Sequence, residues 1–459
     1  MPGSLSLPAS PPASASGAPP ADRGRLRAAL LMAGSCLPVL GAVLIAPVLP
    51  RMQDHFASVP GAEVLVPVVL TVPALALALL APFAGVVVDR LGRKRLLVVA
   101  TALYAVFGTA PLWLDSLGAI VASRVLVGVV EGAIMTCCTT LIGDYYTGRT
   151  RERYLALQTV CASASATAFF VIGGALGSAG WRAPFWIYAV GLLLAPVMAT
   201  VLPKPRPGAG DEGRAPATTQ AADGAHGTPT AHGTGALHGQ TDKAPGPDPA
   251  IGPDPAVGPD TTAGAGELPL QARPFPLRRL AGICLLTVFG GMVFYTVPVE
   301  TAYLLDDLGV TSTGVIGLAT GLASAATVAG SLVFTRLPGT PEGRLPAVFA
   351  LCAAGFVVMG LAGDPVPLIA GGILNCVGTG ILLPSLLTAA MSRLDYADRG
   401  RGTGLWTAAF FAGEFVCPLV LIGVASAAGG LAAAVGLLGL ASALVAAGLL
   451  LARRSVASR

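Results

Sequence analysis

The sequence predicts an all-α membrane protein with twelve transmembrane helices in two six-helix halves. Three observations carry that expectation. The 459 residues are 54% hydrophobic and only 11% charged, with a mean hydropathy of +0.74, whereas a soluble domain carries about 25% charged residues. Apolar runs of roughly 20 residues, enough to cross a bilayer at about 1.5 Å per residue, recur along most of the chain. Arg and Lys gather in alternate loops, which sets an orientation. A soluble multi-domain chain of this composition has too little polar surface to present to water.

The elements follow in order. Residues 1–27 are rich in Pro, Ala, Ser and Gly and read as a disordered tail. The N-terminal half, 28–202, opens behind Arg23, Arg25 and Arg27 with a run too long for a signal peptide. Its spans are expected at 28–50, 64–88, 96–114, 117–143, 154–178 and 183–202. The segment 203–277, with "APGPDPAIGPDPAVGPD" and His-Gly-Thr repeats, has no helical period and reads as a disordered linker. The C-terminal half, 278–453, has expected spans at 279–301, 313–336, 345–363, 366–391, 402–425 and 430–452, followed by a tail, 454–459.

The loops at 90–95, 149–153, 336–344 and 393–401 are basic, as are both termini and the linker. The opposite loops carry Arg51 and Arg182 beside Asp54, Glu63, Asp115, Asp306, Asp307 and Asp364. The basic side is therefore expected to be cytoplasmic, with both termini there and the chain multi-pass in the cell membrane. All eight cysteines lie in apolar runs without a CxxC spacing, so they read as small buried hydrophobes. Neither a disulfide framework nor a metal site is expected. Three of the four His lie in the linker and read as solvated. The net charge of +4 points to no nucleic-acid partner.

Between spans two and three stands "GVVVDRLGRKR" (85–95). Helix-end basic charges account for Arg93, Lys94 and Arg95 alone. Gly85 is expected to admit a neighbouring helix. Asp89, one turn later, is expected to meet a positive helix end, and Gly92 to allow a tight reversal. The pattern G-x-x-x-D-R-x-G-R-[RK], matched at Gly85, Asp89, Arg90, Gly92, Arg93 and Lys94, resembles the motif of the major facilitator superfamily. The six-linker-six layout resembles it too. The resemblance implies the fold of that family, two pseudo-symmetric six-helix halves around a central cavity. It also implies that Asp89 and Arg90 gate the cytoplasmic side. A related turn, "DYYTGRTRERY", begins at Asp144. "LDYADRGRGTGLW" (394–406) matches it in the second half. "RLPGTPEGR" (336–344) lacks the Asp, which leaves the N-half motif to act alone.

Span four carries Arg124, Gly128 and Glu131 on one helical face. A charge inside a bilayer costs at least about 2.5 kcal/mol, so two on one stripe suggest a polar cavity wall. A structural ion pair, or Arg124 snorkelling to the outer interface, is the bland account. R-x-x-x-G on span four resembles the family's second motif, which implies that Arg124 serves proton transfer. Glu131 is then a candidate for the carboxylate that titrates. Glu414, in "FFAGEFVCP", falls about twelve residues into span eleven and is the second proton-coupling candidate. Tyr295, Glu300 at the outer end of span seven, Asn375 and Gln158 are candidates for the substrate cavity. Interhelical hydrogen bonds explain them equally well. "LGAVLIAPVLP" (40–50) resembles the end of span one in the family's drug:proton antiporters. In span five the antiporter pattern G-x-x-x-G-P-x-x-G-G keeps Gly173 and Gly174. It has Phe169 and Phe170 in place of Gly-Pro, and Ser165 in place of the first Gly. The two Phe are assigned to a wall for an apolar substrate, with packing as the alternative.

No GxxxxGK[ST] nucleotide motif is present, and no nucleophile–base pair or paired carboxylates stand in the loops. The chain is not expected to be an enzyme and needs no cofactor beyond a proton gradient. The expected activity is proton-coupled efflux of small, largely apolar molecules by a monomer. An uptake symporter or uniporter is the second reading, and a non-transporting scaffold or sensor the third. The substrate's identity is not legible from the sequence.

Overall fold

The computed structural model describes residues 21–203, 275–395 and 398–457, with the side chains of all these except 21–23, Val86, Asp89, Val456 and Ala457. Most of the expected tail and nearly all of the expected linker lie outside the described residues. Within them, twelve helical segments are long and apolar enough to cross a membrane.

The first span is α1 (Ala21–Val43), a 3₁₀ turn (Ala46–Val48) and α2 (Leu49–His55). The helix begins seven residues before the expected boundary at 28. Pro47 and Pro50 stand at the starts of the 3₁₀ turn and of α2, positions where the missing N–H costs least. The second span is α3 (Ala62–Leu80) followed by α4 (Ala84–Leu91). The unbroken helix expected over 64–88 is interrupted at Ala81–Phe83, where Pro82 supplies no N–H. The remaining spans of this half are α5 (Arg93–Thr109), α6 (Leu117–Tyr145), α7 (Gly148–Gly177) and α8 (Val190–Val201), the last preceded by a 3₁₀ segment (Ala183–Ala189). The second half comprises α9 (Leu277–Asp307), α10 (Thr313–Phe334), α11 (Pro341–Gly360), α12 (Pro365–Met391), α13 (Arg399–Ala428) and α14 (Leu431–Ala457). Helix thus covers 454–457 of the expected tail.

The halves repeat one packing scheme. The first span packs on the fifth, the second and third on the fourth, and the third on the sixth. The seventh packs on the eleventh, the eighth and ninth on the tenth, and the ninth on the twelfth. Two seams join the halves, α7 with α10 and α3 with α13.

The first seam is the tighter. A methyl group on Gly174 would stand 2.8 Å from Cα of Gly317, so the two backbones touch, as small residues allow between membrane helices. This contact lies at the end opposite the basic loops. There Arg51 on α2 donates to the carbonyl of Gly177 at 2.8 Å and to that of Thr311 at 3.4 Å, bridging the halves. Toward the basic end α7 buries nothing before Phe170. The second seam is looser, with a methyl on Gly404 still 3.4 Å from the carbonyl oxygen of Ala81. The bundle is closed at the end away from the basic loops; at the basic end it is parted along α7, while α3 and α13 stay in contact.

Candidate functional site: a buried charge cluster where the halves meet

Among the described residues, four charged side chains are buried: Arg124, Glu131, Glu300 and Glu414. Arg124 on α6 has no exposed surface. Its guanidinium donates from Nε to the carbonyl of Val69 at 3.2 Å, from Nη1 to the Tyr188 hydroxyl at 2.9 Å and from Nη2 to the carbonyl of Gly41 at 2.8 Å. It therefore ties α6 to α3, to α1 and to the 3₁₀ segment before α8. It also lies 5.1 Å from the centre of the Tyr188 ring, a cation–π distance. Tyr104 packs on Tyr188 and donates to the carbonyl of Leu37 at 2.7 Å. Snorkelling is ruled out, because the guanidinium is spent on protein acceptors inside the bundle.

Glu131 stands two turns along α6, within Coulombic range of Arg124 but in no ion pair with it among the described residues. Its carboxyl group occupies the space where a side chain on Gly41 would be. Its Oε1 is buried and makes no hydrogen bond. Gly41 thus meets both groups, offering its carbonyl to Arg124 and its bare Cα to Glu131.

The second half brings Glu414 and Tyr295 to the same place. Glu414 is 4% exposed and within Coulombic range of Glu131. Its backbone packs against Gly291 of α9. Tyr295 is buried and donates to the carbonyl of Ala42 at 2.5 Å, beside Gly41. Two acids, one from each half, therefore flank a contact between the first and seventh spans. Glu300 is 3% exposed, with Oε1 buried and unbonded. The sequence placed it at the outer end of its span, but α9 continues for two further turns to Asp307, which draws it inside.

The other sequence-predicted residues are not part of this cluster. Asn375 is buried between α12 and α11, where Nδ2 faces the carbonyl of Cys352 at 3.4 Å. Its side chain is turned toward the ninth span, in the interhelical contact that the sequence also allowed. Phe170 is buried against Gly317 and Gly321 of α10. It belongs to the tight seam, where the backbones approach too closely to leave a cavity. Phe169 beside it is half-buried. Gln158 is half-buried and donates from Nε2 to Ser35 at 2.8 Å and to Thr139 at 3.1 Å, joining α7 to α1 and α6.

In the gate motif Gly92 takes φ of 83°, the left-handed turn expected of it. Arg93 forms an ion pair with Asp144 at the end of α6. Lys94 is half-buried and Arg90 exposed. Asp89 lies on α4, and its side chain is outside the described residues. No helix crowds Gly85, whose Cα faces open space. It borders a cavity of about 170 Å³ lined from both halves by residues including Leu77, Gly132, Met135, Gly404, Thr407 and Phe411. The close approach expected at Gly85 is not made, although α3 and α13 meet about one turn away at Ala81 and Gly404. The second half, which lacks the Asp, nonetheless has its own ion pair. Arg393 after α12 meets Glu342 at the start of α11 at 3.1 Å.

Sequence reasoning missed Tyr188, Tyr104 and Arg51. Tyr188 lies 64 positions from Arg124, and no local pattern links them. The Gly in "LGAVLIAPVLP" was the one available signal for the acceptor of Arg124.

The profile of the Major Facilitator Superfamily matches residues 31–361. The chain belongs to this superfamily. Its twelve described helices long and apolar enough to cross a membrane fit a multi-pass membrane protein. The tetracycline resistance protein, class C, of Escherichia coli is 34% identical over 165 residues, which is 34% of this chain and 39% of that protein. The multidrug efflux pump LfrA of Mycolicibacterium smegmatis is 32% identical over 184 residues, 39% of this chain and 36% of the pump. The 3-(3-hydroxy-phenyl)propionate transporter of Escherichia coli is 29% identical over 133 residues, 29% of this chain and 33% of that one. The chain matches well under half the length of each. Among solved structures, a bacterial homologue of the human lysosomal transporter Spinster, described as inward-facing and occupied, superposes with a TM-score of 0.69. That alignment has 15% identity and covers 95% of this chain and 98% of the other. The superfamily's fold thus extends over both halves.

Proposed function

We propose that this chain is a proton-coupled exporter of small, largely apolar molecules, working by alternating access with both termini in the cytoplasm. The observation that carries the proposal is the proximity of Glu131 and Glu414, buried from opposite halves with no ion pair to either among the described residues. A carboxylate buried without a partner is costly, and a proton removes the charge. Two such acids at one junction repel when both are charged and pack together when either is protonated. Proton occupancy then sets how closely the halves join, which is the motion that alternating access requires. Arg124, held by two carbonyls and a tyrosine, fixes the wall against which Glu131 moves and gives that acid a nearby positive charge. The substrate enters from the basic end, where the halves are parted and the cavity walls are mostly apolar. Three buried carboxyls against one guanidinium disfavour an anion and suit a neutral or cationic lipophile.

Relatives that bear the names of tetracycline resistance and multidrug efflux proteins support this direction. Transporters of aromatic acids are also among the relatives and favour uptake as the second reading.

Everted membrane vesicles energised with a proton gradient test the proposal. Lipophilic dyes and antibiotics, each added singly, are expected to accumulate and to collapse the gradient. Glu131→Gln and Glu414→Gln are each expected to abolish accumulation while the protein remains in the membrane. Full activity in both variants would refute the choice of coupling acids. Movement of aromatic acids alone, in the inward direction, would replace export with uptake.

A further inference from the structure

We propose that Glu300 is a second proton-binding site, reached from the end opposite the basic loops, which passes its proton to Glu414 along the seam between α9 and α13. The inference rests on the proton-coupled reading above.

Glu300 is more than nine-tenths buried and its Oε1 has no partner. Tyr303, one turn on along the same face of α9, has a hydroxyl that is also buried and unbonded. Buried polar atoms in native proteins are nearly always satisfied, by protein or by water. Two unsatisfied ones, a turn apart, point to a shared guest that is small and able to donate. One turn toward the basic end, Thr296 contacts the Cys417 thiol at 3.4 Å. Cys417 is within Coulombic range of both Glu300 and Glu414. Because α9 and α13 run in the same direction, the order along the seam is fixed. Glu414 lies about 4.5 Å below Cys417, and Glu300 about 6 Å above Thr296. The seven residues from Glu300 to Asp307 span about 10 Å to the end of the helix.

Among the described residues, the neighbouring elements show no cation beside Glu300. At Val297, α12 presents Gly372 and α10 presents Ala323. Arg51 of α2 is engaged by the carbonyls of Gly177 and Thr311. Asp54 of α2 lies near Asp306, beyond Tyr303. Among the described residues, the titratable groups found near Glu300 are Tyr303 and Cys417, and Cys417 in turn lies near Glu414.

In the proposed sequence, water at the far end gives a proton to the Glu300 carboxylate. When Glu414 has lost its own proton, that of Glu300 moves to it across the polar step made by Thr296 and Cys417. Glu300 returns to the carboxylate and is ready for the next proton. The arrangement separates proton entry, in the second half, from the junction with Glu131.

Infrared difference spectra of the purified full-length chain, taken through a pH titration, test this directly. A protonated carboxyl has a carbonyl stretch that the carboxylate lacks. Glu300→Gln is expected to delete one such band and Glu414→Gln another. Tyr303→Phe keeps the acid, so it is expected to shift the first band and leave the second in place. In proteoliposomes Glu300→Gln is expected to lose proton-driven accumulation and keep energy-independent exchange of the same dye. No band lost in Glu300→Gln, or a band that follows sodium and not pH, overturns the proposal. If the wild type moves dye without protons, the proton-coupled reading fails, and the band still decides whether Glu300 binds a proton.

Discussion

Gly41 does two things that no other residue type does together. Its carbonyl accepts from Arg124 at 2.8 Å, and its missing side chain leaves room for the Glu131 carboxyl. A methyl group there collides with Glu131, and crowding of this kind costs about 1–3 kcal/mol. Gly41→Ala is therefore expected to keep the fold, lower the unfolding temperature and abolish vesicle transport. Adding Glu131→Asp, which withdraws the carboxyl by one carbon, is expected to restore part of the activity. Wild-type transport by Gly41→Ala alone would mean that Glu131 swings aside freely, and the tight wall proposed for it would be wrong.

At the level of elements, the turns at the basic end repeat one design with the charges exchanged. The first half joins Arg93, at the head of its third span, to Asp144, at the foot of its fourth. The second half joins Glu342, at the head of its third span, to Arg393, past the foot of its fourth. Both pairs are 51 residues apart. All four side chains retain some exposure, and the second pair is the more open, so each pair is worth about 0–1 kcal/mol. Their effect is expected in the conformational cycle more than in stability. Arg393→Glu alone is expected to slow transport by setting two acids together, and Arg393→Glu with Glu342→Arg to recover it. Vesicle transport measures both. No recovery in the double variant would show that the polarity at each turn matters as well as the pairing.

This repetition also shows what was legible in the sequence. Apolar length set most span ends to within a few residues, because the bilayer demands that length; the exceptions are the earlier starts of α1 and α7 and the later ends of α2, α9 and α14. The exchanged pair escaped notice because the motif was sought as a string, and exchange preserves the contact while erasing the string. The neighbours of Asn375 and Phe170 were not legible for another reason. In a span that is apolar all round, nothing in the periodicity says which face meets the other half. Arg124 and Glu131 were legible because a buried charge is rare enough to announce itself.

For the whole molecule, closure of the end opposite the basic loops depends on the α7–α10 seam and on Arg51. Its hydrogen bond to Thr311 crosses between the halves, while its bond to Gly177 holds it to α7 of its own half; the crossing bond contributes about 0.5–1.5 kcal/mol. Arg51→Ala is expected to shift the balance between closed and open forms of that end by roughly 2–13-fold, the loss of one such bond. Spin labels on the loops at 178–180 and 309–312 would report the change as a new, longer distance in pulsed electron resonance spectra. An unchanged distance distribution would assign the closure to the glycine seam alone.

Two of the three acceptors around Arg124 are main-chain carbonyls. Every amino acid carries such a carbonyl, so substitution at Val69 cannot delete its bond, and at Gly41 only the missing side chain constrains the choice. Across related sequences these contacts leave no correlated changes to detect. A map of co-varying positions would be nearly silent around Arg124, and among the described residues Tyr188 is the side-chain acceptor through which it could be heard.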